Sequence, residues 1–234
     1  MNPTFPIVRQ AILAQEQPER ASFVARYFKT QPGQYGEGDV FLGLSMPQQH
    51  ALSRQFRTLP IAETEQLVQD PYHECRMVGL LIWNEQAKRG GAVVRQELAD
   101  RYVANRQFIN NWDLVDSSCP TTLGLHLLNN DRAVLYELAQ QDHLWSQRIA
   151  LVTTWQFIRH SQFGDTFALV DQLMTHRHDL IHKAMGWMLR EVGKRNIDAL
   201  DEFLHDYARR LPRTTLRYAL ERHDPASRRE FMAR

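Results

Sequence analysis

Three stretches of this chain, HECRMVGLLIW, LWSQRIALVTTW and LIHKAMGWMLRE, align on a basic residue that enters an apolar helical run. Arg76, Arg148 and Lys183 then stand at one point of the pattern, 72 and 35 residues apart. The unit is therefore about 36 residues, with one further copy between the first two, near Trp112 in NNWDLVDSS. Trp187 falls at nearly the phase of Trp112, two units on. A repeat of this length, made of helices each apolar on one side, restricts the fold sharply. No single unit can bury its own apolar face, so each must stack on its neighbours. The expectation is an all-α, HEAT-like α-solenoid of stacked antiparallel helix pairs, with a concave face lined by one helix from each pair, forming a single domain over residues 1–234.

The local signals agree with that expectation. MVGLLIWNEQAK, RIALVTTWQFIR, KAMGWMLREVGK and DEFLHDYARRL each set apolar residues on one face and charges opposite. In DPYHE, Asp70 reads as an N-cap, Pro71 as the first helical residue and Glu74 as a first-turn acid. SMPQQHAL offers a second helix start, and KRGG a stop at Gly90. No convincing strand pair is found.

Composition excludes several classes. Cys75 and Cys119 have no metal-type spacing and read as reduced thiols. The opening MNPTFPIVRQ lacks the pattern of a secretion signal, and no apolar run reaches bilayer length, so a cytoplasmic monomer without a membrane partner is expected. The net charge is only +1, but it is uneven. Residues up to Thr175 carry 15 Lys/Arg against 18 Asp/Glu, whereas the remainder carries 13 against 9. A basic carboxy-terminal third points to an anionic partner.

The glycine-rich segment YFKTQPGQYGEGDVFLG matches neither phosphate-loop template. It has no lysine after its last glycine, and it lies between helices rather than after a strand. Glu37 and Asp39 would repel a phosphate. The segment reads as a helix-to-helix connection whose glycines permit positive φ, with VFLG returning apolar side chains to the core.

NNWDLVD places Trp112 and Asp116 at i and i+4 on one helical face. With Trp187 they could form an aromatic-walled cleft containing a carboxylate, with Arg148 adding a phosphate contact. The residues themselves leave a second reading open: tryptophans in the core, Asp116 as a local cap or bridge, and Arg148 and Lys183 paired across the seam between repeats. HRHDLIH spaces His178 and His182 by four, but has aspartate where a zinc-protease helix needs glutamate. No metal or other cofactor is expected.

Taken with YFKTQPGQYGEGDVFLG and LPRTTLRYALERHD, the segments NNWDLVD, WSQRIALV and KAMGWMLREVGK resemble the AlkD-like family of DNA alkylation repair proteins. The likeness runs from about Phe23 to about Arg229. It implies a solenoid that binds duplex DNA containing alkylated bases on its concave face, and a DNA glycosylase that excises positively charged N3- or N7-alkylated purines. By this resemblance Asp116 is the catalytic acid, Trp112 and Trp187 face the lesion, and Arg148 contacts DNA, with Lys183, Arg190 and Lys194 as further phosphate-binding candidates. Two positions depart from the pattern. Asn111 stands where some members have a second tryptophan, and His50 where arginine is common. The glycine-rich entry marks a distinct branch, and the wider family includes members that bind damaged or branched DNA without excision. A protein-binding scaffold, a common use of such arrays, is the remaining alternative.

Overall fold

The computed structural model describes residues 3–233; Met1, Asn2 and Arg234 lie outside them. The described chain is helical throughout, with no strand beyond an isolated bridge between Val40 and Tyr72. It falls into two compact units, Met1–His126 and Leu127–Arg234.

In the first unit, helices Phe5–Leu13, Pro18–Tyr27, Met46–Gln55, Ile61–Val68, His73–Arg89, Ala92–Ala104 and Trp112–Thr122 follow one another. His73–Arg89 is the central one, packed by Met46–Gln55, Ile61–Val68 and Trp112–Thr122. Sequence periodicity predicts a one-sided helix here. Instead every residue from His73 to Asn84 is buried, because neighbours cover it on all sides. A helix in that position must hide charged residues too, and each needs a buried partner.

The end signals divide into those that act locally and those that act at a distance. Ser45 and Gln48 form the capping box of Met46–Gln55, and Gly90 follows the last helical residue, Arg89, as expected. Asp70 is not an N-cap. The helix begins at His73, while Asp70 accepts the Tyr72 amide at 2.9 Å and pairs with Arg9 at 2.6 Å. Its distant cation outcompetes the capping position. RIALVTTWQFIR is likewise interrupted, as Leu144–Thr153 and Trp155–Ile158, at Thr154, whose hydroxyl donates back to the Leu151 carbonyl at 2.7 Å.

The glycine-rich segment is a structural connection, and it does cradle an anion: the protein's own. Leu42, Gly43 and Leu44 direct their amides at the Glu74 carboxylate, at 2.8, 2.7 and 3.2 Å. Gly43 has a φ of +88°, and a Cβ there would lie 2.5 Å from the Gln17 carbonyl oxygen, so only glycine fits. Phe41, Leu42 and Leu44 return to the core, whereas Val40 stays exposed and its carbonyl accepts the His73 amide.

In the second unit, Leu144–Thr153 packs on Ala133–Gln140 and on Asp179–Arg195, and Asp179–Arg195 packs in turn on Ile197–Tyr207 and Arg213–Ala219. Gly186 permits the last approach. A Cβ on it would meet the Thr215 carbonyl oxygen at 2.6 Å and the Tyr218 Cβ at 2.5 Å. Phe167, Phe203 and Tyr207 stack in sequence, at 4.6 and 4.5 Å between centroids.

The four equivalent helices start at His73, Trp112, Leu144 and Asp179, at intervals of about 32 to 39 residues rather than an even 36. The uneven spacing shifts the phase by nearly a turn. Arg76, Asp116, Arg148 and Lys183 therefore fall at matching points near their helix starts. Trp112 opens its helix, but Trp187 lies about two turns into its own, so the two tryptophans are not in equivalent phase.

Candidate functional site

Trp112 and Asp116 belong to the first unit; Arg148, Lys183, Trp187, Arg190 and Lys194 belong to the second.

Asn111 N-caps the helix that carries Trp112, its side-chain oxygen accepting the Trp112 amide at 2.9 Å. Trp112 and Asp116 follow on one face, both half-buried. The Trp112 ring stacks on Phe28 at 5.3 Å and meets the edge of Tyr27 at 6.3 Å, and Tyr27 is itself exposed. Leu114 and Val115, between the two site residues, are fully buried and fix the face that Trp112 and Asp116 present.

Beneath this face lies a buried ionic cluster that pattern reading missed. His73 places Nδ1 2.8 Å from Asp39 and Nε2 2.9 Å from Asp113. Arg76 pairs with the other oxygen of Asp39, and Asn111 donates to Asp39 at 3.2 Å. Burial opposes the charge on Asp39, but His73 and Arg76 outweigh it and hold its carboxyl below the usual range. The sequence signal that could have exposed the cluster is the acid of GEGD, a charged residue in a segment that turns back into the core. Nothing local names its partners.

In the second unit, Lys183, Trp187, Arg190, Glu191 and Lys194 form one stripe along Asp179–Arg195, opposite a buried face of Ile181, Ala184, Met188 and Val192. Trp187 is half-buried and donates its indole N–H to Glu191 at 3.2 Å. Each cation in the stripe has an acidic neighbour: Lys183 with Asp179 at 2.8 Å, Lys194 with Glu191 at 2.6 Å, and Arg190 with Glu221. Arg148 lies on the neighbouring helix, Leu144–Thr153. It is 5% exposed, and its guanidinium donates to the Leu180 carbonyl in the adjacent helix at 2.6 Å. The three histidines nearby serve the chain: His178 caps Asp179–Arg195 through Nδ1, His176 accepts the His178 amide, and His182 reaches the His176 carbonyl.

Stacked helical repeats of this length define a HEAT-like helical-repeat protein, with aromatic rings beside a carboxylate in the first unit and beside a row of cations in the second. The profile of the DNA alkylation repair enzyme family matches residues 8–223, and the chain belongs to that family. Its fold is similar to a solved structure described as a predicted DNA alkylation repair enzyme from Enterococcus faecalis, with a TM-score of 0.71, 21% identity, and coverage of 90% of this chain and 98% of that one. Among curated proteins none matches by sequence. Family membership supports a role in the repair of alkylation damage and, with it, binding to DNA.

Proposed function

We propose that this protein is a DNA glycosylase that hydrolyses the N-glycosidic bond of positively charged N3- or N7-alkylated purines in duplex DNA. The observation that carries the reading is the Trp112–Asp116 pair, half-buried and one turn apart on a capped helix, in a chain of the alkylation repair family.

The chemistry suits so small a set of groups. Alkylation at N3 or N7 leaves the purine cationic, so its bond to the sugar is already weak and the departing base needs little protonation. What the protein must supply is stabilisation of the oxocarbenium-like sugar and a placed water, and a carboxylate can do both. Asp116 takes that role. Trp112 and Trp187 favour a cationic base over a neutral one by cation–π attraction, about 1–2 kcal/mol each when desolvated. Lys183, Arg190 and Lys194 contact phosphates by exchanging their acidic neighbours for DNA, and Arg148 supports the same face from the adjacent helix. In this reading the protein acts in the cytoplasm, as a monomer and without a cofactor.

The test is release of 7-methylguanine from methylated duplex by the wild type and by Asp116→Asn. Loss in the variant supports the assignment, and equal release by both proteins removes Asp116 from the mechanism.

One observation favours a second reading. Asn111, where some family members carry another tryptophan, is committed to capping the helix and to Asp39. Fewer aromatic walls hold a base less firmly, which suits a protein that recognises damaged or branched DNA without excision. Turnover on any alkylated duplex disposes of that alternative.

A further inference from the structure

We propose that His73 is a positioning residue for the excision site: its imidazolium, clasped between Asp39 and Asp113, fixes the start of the helix that carries Trp112 and Asp116. The inference rests on the glycosylase reading, and it gives the glycine-rich segment a part in that reaction.

The geometry dictates the charge. A neutral imidazole has one donor and one acceptor, whereas an ionised carboxylate only accepts. His73 is buried with a carboxylate oxygen within 2.9 Å of each ring nitrogen, so both nitrogens must carry protons. Three groups of opposite or like charge surround it: Asp39 from the glycine-rich segment, Asp113 from Trp112–Thr122, and Arg76 from its own helix across Asp39. Two cations and two acids balance. Phe41 stacks on the imidazole at 4.4 Å, and Phe28 lies 5.4 Å from it while also stacking on Trp112.

Three consecutive residues are thereby anchored. Asn111 is held by Asp39, Trp112 by Phe28, and Asp113 by His73, with the second use of the Asp113 carboxylate being acceptance of the Leu114 amide at 2.9 Å. Asp116 follows one turn later, so the clasp sets where its carboxylate lies.

The sign of the pH effect follows. Burial opposes the charge on His73, but Asp113 and then Asp39 outweigh it and push its pKa from 6.5 up to about 9. The clasp is complete below the ordinary histidine value and is lost as pH rises through about 9. Excision therefore acquires an alkaline limb there.

Two measurements on the full-length protein test this. Histidine ring nitrogen NMR at about pH 8 reports protonation directly, since an unperturbed histidine is neutral there. A doubly protonated ring that is absent in His73→Gln is expected. Single-turnover release of 7-methylguanine, with uncatalysed loss subtracted, is followed between about pH 6 and 10 for wild type, His73→Gln and Asp113→Asn. The wild type should show the alkaline limb, His73→Gln should lack it and release base up to about a hundredfold more slowly below it, and Asp113→Asn should move it to lower pH. If His73→Gln fails to fold, Asp113→Asn carries the test. A neutral His73 ring at pH 8, or the same limb in every folded protein, overturns the proposal. A wild type that releases no base overturns the glycosylase reading instead. The clasp is then judged by the indole resonance of Trp112, whose unchanged position in Asp113→Asn overturns it.

Discussion

Trp187 donates its indole N–H to Glu191, 3.2 Å away and one turn further along the same helix. The carboxylate oxygen that accepts it also holds Lys194, so the ring edge is fixed against an acid rather than left to rotate. The acid places negative charge beside a surface proposed to receive a cationic base. Glu191→Gln should narrow the preference for alkylated over unmodified duplex by about two- to fivefold, the worth of one modest charge–π contribution. Competition binding at fixed salt measures it, and an unchanged ratio rejects the role.

Lys183 is half-buried and pairs with Asp179 at 2.8 Å, one turn back along its own helix. Such a pair contributes roughly 0.5 kcal/mol or less to stability. Lys183→Ala should therefore leave thermal unfolding nearly unchanged while lowering the slope of log affinity against log salt by about one. A slope equal to that of the wild type removes Lys183 from the phosphate contacts.

Glu74 binds three consecutive amides from within the core. Replacement by glutamine keeps the volume but removes the charge and one acceptor, leaving buried N–H groups short of a partner. Glu74→Gln should cost about 2–4 kcal/mol in denaturant unfolding. A loss below about 1 kcal/mol would show that the segment is held by its apolar residues instead.

Gly186 lies where two helices of the second unit approach closely. The obstructing atoms belong to Thr215 backbone and to a Cβ, neither of which can swing aside. Gly186→Ala should destabilise by about 1–3 kcal/mol despite its better helix propensity. Calorimetry distinguishes this from the small gain expected at an open helical glycine.

The alternation between what was legible in the sequence and what was not has a physical boundary. Trp112 and Asp116 could be placed on one face because i,i+4 neighbours are set by helix geometry alone. The capping box at Ser45 and Gln48 and the stop at Gly90 were readable for the same reason. Asp70 misled because the cation that claims it is 61 residues away. The cluster around His73 was invisible because its contacts to Asp39 and Asp113 span 34 and 40 residues, and a charged residue on a helix ordinarily reads as solvated. Trp187 shares a partly exposed stripe of its helix with Lys183, Arg190 and Lys194, a placement that helical spacing alone predicts. Its phase relative to Trp112 was misjudged because the repeat is uneven.

Asn111 reaches back 72 residues to Asp39. Repeat arrays whose members touch only adjacent members can assemble piecemeal, from either end. Here the Asp39 carboxylate can meet His73 and Arg76 first, but it gains its Asn111 donor, and His73 its second carboxylate, only once the start of the Trp112 helix has been synthesised. A nascent chain halted before Asn111 would enclose the cluster one donor and one carboxylate short. The first unit should thus cross its folding barrier once, as a cooperative whole, with the glycine-rich segment among the last parts to lock.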